Sequence, residues 1–497
     1  MAEGKTYRIA LQTTAIFGGV QVFQILLSIL RGKLVAVLLG SAGVGISTQY
    51  ISSLVIISAI ATLGLNLSGI RNIAQACEEN DREKLSRTYT IFVYSSYATA
   101  ALGVILTVIC APLLSISAFQ TPDYTLSFIA LSVHVAFTIL WGNQNTILQG
   151  TKSYKELAIS NLLGTLLSLL LIIPLYYFWG QEGIVPGLVG SSFVNFAVAH
   201  YCVRRLNIPI VQTSVREIIE SGMEMAKLGI AMMLTSLIGN LVIFLINTYI
   251  TINGSLSELG LYQSGSNITT QYVGLIFSAM VVGYFPQLSA ASKDNLNIRK
   301  IANEQSEITL LLISPILNFL ILLAPVVIQI LLSPEFLPVV TFIRIMCLGT
   351  ILKAASYPIG YISFAKGDKK TFFLLEGIGG NLQNLIASII GYSLGGLNGI
   401  AIAYFCNYFV YFIILSIVTY KLYGYSTNKA IIKFIMIAMT SAIILIFSLI
   451  FFVHPVTYLL MFLVCAGSCI YSYIELQQRV HISPQKIIKR AVKIFRP

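Results

Sequence analysis

The sequence predicts an all-α integral membrane protein of about fourteen transmembrane helices, on three observations. Hydrophobic residues make up 56% of the 497 while charged residues make up 10%, and mean hydropathy is +0.84. Surface-to-volume scaling gives a soluble chain of this length too little interior to hide that much apolar surface, so lipid is the solvent for most side chains. The apolar residues also fall into runs of about 20, the length needed to cross a bilayer. Finally, Lys and Arg collect in alternate connections between those runs.

In order, the runs cover about 13–39, 43–66, 88–111, 124–147, 157–178, 184–203, 228–251, 259–284, 307–331, 339–363, 371–392, 397–420, 430–453 and 456–476. The first is too long for the apolar segment of a signal peptide and has no small-residue cleavage site, so it reads as an uncleaved span. The connections are short, which leaves no room for a soluble catalytic domain. All 31 Lys and Arg except Arg31, Lys33, Arg344 and Lys353 fall on one side of the predicted topology. The opposite connections carry Asp123, Glu182, Glu258 and Glu335 and no base. The positive-inside rule then puts both termini in the cytoplasm. The net charge of +12 therefore reports topology and not nucleic-acid binding. Among the seven cysteines there is no CxxC or Cys/His spacing, so neither a disulfide framework nor a metal site is expected, and no cofactor motif occurs.

Three segment pairs repeat at nearly constant offset. Gly180-Gln-Glu-Gly183-Ile184 matches Gly396-Leu-Asn-Gly399-Ile400, Gly150-Thr-Lys-Ser matches Gly367-Asp-Lys-Lys, and Leu63-Gly64 matches Val282-Gly283. They predict two pseudo-symmetric six-helix bundles, spans 1–6 in residues 1–203 and spans 7–12 in residues 228–420. Residues 204–227 form an amphipathic cytoplasmic linker. Spans 13 and 14 occupy 421–476, and a basic cytoplasmic tail covers 477–497. Two like halves suit alternating access, which enzymes rarely need.

A base at a helix centre costs about 2.5–3.5 kcal/mol on insertion scales, so the four in spans need a wet cavity, a partner or a route to the headgroups. Arg31 continues a polar stripe of Gln21, Gln24 and Ser28 at helical spacing, which points to a wet or protein-facing side. Lys33 lies about 200° around that helix and is expected to snorkel. Arg344 and Lys353 are nine residues apart, on opposite faces of a straight helix. Lys353 is nearer mid-membrane, with Tyr357 and Gly360 on its face. Glu376 is the clear acid within a span and reads either as an ion-coupling group or as the partner of Lys369 or Lys370. The stripe of His134, Thr138, Trp141 and Asn145, and the cluster that includes Asn267 and Gln271, suit sugar hydroxyls or interhelical hydrogen bonds.

Leu30-Arg-Gly-Lys33 through Leu39-Gly-Ser-Ala-Gly-Val-Gly45, Leu63-Gly-Leu ending in Ser68-Gly-Ile-Arg71, Leu148-Gln-Gly-Thr-Lys152 and Gly183-Ile-Val-Pro186-Gly resemble the Wzx-type polysaccharide translocases of the MOP superfamily, O-antigen translocases in particular. The resemblance implies a MOP/MATE-like fold in a bacterial inner membrane. It also implies a cationic cavity for the pyrophosphate of an undecaprenyl-linked oligosaccharide, which is flipped from inner to outer leaflet. Arg31, Lys353 and Arg344 are the cations available for it, and polysaccharide polymerase machinery is the implied neighbour. Such a task needs wet polar surface, because desolvated hydroxyls and charges do not cross hydrocarbon unaided. No Walker A loop occurs, and the coupling ion, proton or sodium, stays open. The rivals are a lipid II-type flippase, which differs in cargo, and a cation-coupled multidrug exporter, which should carry an acid mid-membrane in its first half. A membrane glycosyltransferase or polymerase should carry a larger outer loop with arginines or acids.

Overall fold

The computed structural model describes residues 2–79, 81–451 and 455–480. Those residues form an all-α, multi-pass membrane fold in which ten helical segments are long and apolar enough to cross a bilayer. Three of the ten are broken at glycines, namely Gly40, Gly180 and Gly395–Gly396, which makes thirteen limbs, and the helical stretch 256–290, outside the ten, brings the described helical limbs to about fourteen, as composition predicts. The basic tail expected at 477–497 lies, beyond Val480, outside the described residues. The chain divides into two compact units, Met1–Gly260 and Leu261–Pro497.

The first unit holds α1 (Ala2–Thr62), α2 (Leu65–Glu78), α3 (Arg82–Phe119), α4 (Thr125–Gly150), α5 (Tyr154–Trp179), α6 (Ile184–Arg204), α7 (Val215–Asn253) and the start of α8 (Leu256–Ser266). Its core is aromatic and aliphatic, with the Tyr50 ring 5.1 Å from Phe119 and 5.3 Å from Phe128. Two departures from the sequence reading stand out. Residues 65–78, expected as span end and loop, form the separate helix α2, which Lys152 ties down through Glu78 at 2.7 Å. The second half of the expected linker is helical and continuous with span 7. Ser214 caps α7 by accepting from the Glu217 N–H at 3.2 Å, and Arg87 pairs with the Glu217 carboxylate.

The second unit continues α8 into a π-helical turn, Asn267–Tyr272, then α9 (Gly274–Ala290), α10 (Asn295–Leu331) and α11 (Val340–Ala365). A short α12 (Lys369–Phe372) runs through a second π-helical turn, Phe373–Gly379, into α13 (Gly380–Tyr423). The helices α14 (Lys429–Phe451) and α15 (Pro455–Val480) complete it. In the most apolar window of the segment containing α11, 56% of residues are buried, against 17% for Lys369–Tyr423. Thus α11 lies deeper in this unit than α13 does.

Glu376 is not the lone acid of the spans. The helix α10 begins twelve residues before the expected span 9 start of 307, and places Glu307 in the interior with its side chain 4% exposed. Its partner is Arg479, assigned from sequence to the basic tail; Asn428 donates to the same carboxylate at 3.1 Å. Lys433 pairs with Glu475 at 3.0 Å, and deeper along α10 the Asn318 amide donates to Ser441 and Ser468 at 2.9 and 3.1 Å. Interhelical bonds of this kind average about 0.6 kcal/mol each in membranes. Together with the buried ion pair they fasten α14 and α15 to α10 at two levels.

The repeat survives locally, with one register change and one loss. Gly180 (φ 54, ψ −128) and Gly396 (φ 58, ψ −139) share a backbone conformation that side-chain-bearing residues avoid, and each starts the turn into the next span. The turns after α4 and α11 carry the same three hydrogen bonds. Thr151, Lys152 and Ser153 donate to Ile147, Gln149 and Leu148; Lys366, Gly367 and Asp368 donate to Ile362, Phe364 and Ser363. Left-handed residues at the same step, Lys152 (φ 56) and Gly367 (φ 72), show that Lys152 and not Gly150 answers to Gly367. The third pair fails: Gly64 (φ 71) breaks the chain after α1, whereas Gly283 lies within α9.

Asp368, outside the spans, staples the start of α12 to the end of α13. Its carboxylate accepts from the Thr371 N–H at 3.1 Å, the Thr371 hydroxyl at 2.7 Å and the Tyr423 hydroxyl at 2.8 Å. These bonds, the Thr371 amide first, hold its pKa below the ordinary carboxylate value. A depressed folded-state value contributes stability that is full above the unfolded pKa and is lost as pH falls through the folded one. Asp368→Asn should therefore lower the melting temperature at neutral pH and flatten its fall below about pH 4, where the two chains converge. An unaltered acid limb in a thermal-shift titration would count against this assignment.

Candidate functional site

Within the second unit, α11 and the two limbs of α13 enclose a hollow of about 510 Å³. Lys353, Tyr357, Gly360 and Tyr361 face it from α11, at the three- and four-residue spacing that keeps side chains on one helical face. From the other side come Glu376 on the π-helical turn, Asn381 and Asn384 just beyond it, and Tyr404, Asn407, Tyr408 and Tyr411 on the second limb of α13. The Lys353 ammonium stands 5.7 Å from the ring centres of both Phe277 and Tyr408. Among the described residues it has no hydrogen bond or ion pair. Two aromatic faces contribute about 0.5–2 kcal/mol each toward holding such a cation in a dry setting and leave its three N–H donors for a ligand.

The π-helical turn is what brings Glu376 into this hollow. A π turn inserts one residue, rotates the helix beyond it and widens the local bore, and such turns recur at functional positions. The Asn381 side chain donates to the Glu376 and Gly377 carbonyls at 3.2 and 2.8 Å, where π geometry returns to α. The Glu376 carboxylate accepts from the Tyr411 hydroxyl. Among the described residues it makes no ion pair with Lys369 or Lys370, the partners offered by sequence, nor with Lys353. A Cβ on Gly360 would lie 2.7 Å from a Glu376 oxygen, so glycine there is the condition for the carboxylate's position. Tyr357 and Tyr361 exchange a hydrogen bond of 3.2 Å, and the Asn407 side-chain oxygen is buried without a partner among the described residues.

Arg344 points elsewhere, as nine residues of helix require. Proline at 325 has no N–H, which leaves the carbonyl four residues earlier, Ile321, without its helical donor. Arg344 Nε supplies one at 3.1 Å. Arg344→Met should cost about 1–3 kcal/mol of stability by orphaning that carbonyl, and Pro325→Ala, which restores an N–H, should recover most of it. Additive losses in the double variant, measured by thermal unfolding, would rule out this role.

In the first unit Arg31 is half-buried and close enough to His134 and Tyr176 to act on both electrostatically. It has no acidic partner among the described residues. His134 Nδ1 donates to the Leu188 carbonyl at 2.9 Å, which leaves Nε2 to accept from Thr138 at 3.4 Å. Lys33 is half-buried as well, Gln24 is half-buried and Ser28 exposed. The Asn145 side-chain oxygen is buried without a partner among the described residues. In the second unit Asn267 opens the first π-helical turn and accepts from Gln263 at 2.9 Å, a bond within one helix. The side chains of Gln21 and Gln271 lie outside the described ones. Lys353 and Glu376 are thus the two sequence candidates that the fold brings into one hollow. Sequence reading missed Asn381, Asn384 and the stripe Tyr404, Asn407, Tyr408, Tyr411, although its helical period was there to find.

A family described as polysaccharide biosynthesis protein matches residues 34–341. The chain belongs to that family. Among curated relatives, the Lipid III flippase of Escherichia coli (strain K12) is 24% identical over 388 residues, covering 77% of this chain and 92% of its own; the Lipid III flippase of Shigella flexneri matches equally. Among solved structures, the Lipid II flippase MurJ in an inward closed conformation superposes with a TM-score of 0.67 at 16% identity over 95% of this chain and all of that one. A multidrug resistance MATE family transporter in an inward-facing conformation gives 0.59 at 16% identity over 80% and 95%. The fold of the chain is thus the one that these membrane flippases and transporters share.

Proposed function

We propose that the protein flips an undecaprenyl-pyrophosphate-linked oligosaccharide, an O-antigen or similar surface unit, from the inner to the outer leaflet of the bacterial cytoplasmic membrane by alternating access. The observation that carries this reading is Lys353: an ammonium without an acidic partner among the described residues, in a hollow lined by tyrosines and asparagines. A multidrug exporter for cations gains nothing from such a group, whereas a phosphate with hydroxyls beside it meets charge, amides and aromatic faces at once. At about 510 Å³ the hollow suits a pyrophosphate and the first sugar, and the rest of the glycan stays outside it. Glu376, its carboxylate facing the same hollow, is the group for a coupling proton or sodium ion. Arg31 is the corresponding cation of the first unit. Lysine and arginine placement supports cytoplasmic termini, and the polysaccharide polymerase machinery is the natural recipient of the cargo.

The test is a leaflet assay in proteoliposomes with two cargoes supplied separately, a polyprenyl-pyrophosphate oligosaccharide and lipid II. The reading expects the first to reach the outer leaflet and the second to lag. Equal transport of lipid II would favour the lipid II-type alternative, and transport of neither would end the flippase reading. Arg31→Ala, at normal abundance, should leave oligosaccharide on the inner leaflet in cells; normal export would remove Arg31 from the site.

A further inference from the structure

A second hollow, about 500 Å³, lies on the lipid side of α13. The two limbs of α13 touch near their connecting turn, where a Cβ on Gly399 would stand 1.9 Å from the Gly391 carbonyl oxygen. Further from the turn there is room between them for this slot. Leu382 and Ile386 of the first limb and Val410 and Ile414 of the second line it, between 39% and 51% exposed. In a membrane these side chains face hydrocarbon. Asn407 lines both this slot and the Lys353 hollow, and the Gln383 amide, also in the slot, donates to its backbone carbonyl at 3.0 Å. One residue therefore separates an apolar slot open to lipid from a polar hollow containing a cation with no acidic partner among the described residues.

We propose that the slot between the limbs of α13 seats the polyprenyl chain of an anionic lipid whose phosphate lies at Lys353. The proposal rests on the flippase reading and deepens it. An apolar slot that shares the Asn407 wall with a cationic, hydroxyl-rich hollow matches an amphiphile with one chain and an anionic head. A slot between two helices admits one chain lengthwise, whereas a two-chain phospholipid would have to splay. Entry needs no passage through the protein interior, because the chain stays against hydrocarbon while only the head crosses the Asn407 seam.

Cys406 is exposed and lines the slot, so it reports occupancy directly. The experiment follows maleimide modification of Cys406 by peptide mass spectrometry in phosphatidylglycerol nanodiscs, with and without undecaprenyl phosphate, with half-buried Cys469 as the internal control. Undecaprenyl phosphate at ten times its Kd should slow Cys406 modification about tenfold and leave Cys469 unchanged. Lys353→Gln should abolish the protection by removing the anchor for the head, and Ala387→Trp, which fills the slot, should abolish it by excluding the chain. Absence of protection in the unmodified chain overturns the proposal, as does protection that persists in Lys353→Gln or is reproduced by added phosphatidylglycerol. Should Ala387→Trp not fold, the first two comparisons decide. Protection without oligosaccharide flipping in the leaflet assay would overturn the flippase reading and keep the slot. Normal flipping with no protection would do the reverse.

Discussion

Lys353→Gln should slow transport of lipid-linked oligosaccharide by about 10- to 100-fold at unchanged protein abundance. A hydrogen bond to a charged group is worth about 1.5–3 kcal/mol, and about 1.4 kcal/mol is a factor of ten in rate. The ammonium has no acidic partner among the described residues, so its removal strands no buried carboxylate. It also relieves the roughly 2.5–3.5 kcal/mol that a lysine costs inside a span. The melting temperature should therefore hold or rise while transport falls, a combination that a packing role would not produce. Turnover in proteoliposomes, read beside thermal unfolding, separates the two; wild-type turnover would take Lys353 out of the mechanism.

The largest stability effect is expected at Arg479. Arg479→Met leaves Glu307 in the interior without its counter-charge. Breaking a fully buried pair from one side costs about 3–5 kcal/mol. Arg479 is one-third exposed, so water takes up part of the deficit and about 2–3 kcal/mol is the expectation. Glu307→Gln in the same chain should return most of it, because a neutral amide can still accept from Asn428. Equal unfolding temperatures for Arg479→Met and the double variant would show that the pair does not fasten α15 to α10.

The span count, the all-α class and the opposite facings of Arg344 and Lys353 depend on hydropathy and a 100° helical step, which are local quantities. The turn glycines Gly180 and Gly396 were legible because a positive φ selects a residue type directly. The burial of Glu307 is not legible in the sequence, because nothing near it in the chain reveals a partner 172 positions away. Arg344 was a site candidate until its place beside the Pro325 break supplied another use for the guanidinium.

By itself the sequence determined that this chain lives in lipid, crosses it many times, repeats some of its turns and keeps a few cations where hydrocarbon should exclude them. Only the tertiary structure decided which of these cations lines a polar hollow with no acidic partner among the described residues. It also put Glu376 and a tyrosine stripe from a later limb beside Lys353. The physical reason is range: helical periodicity and transfer free energy act within a segment, whereas a hollow exists only where separate segments fail to fill the space between them.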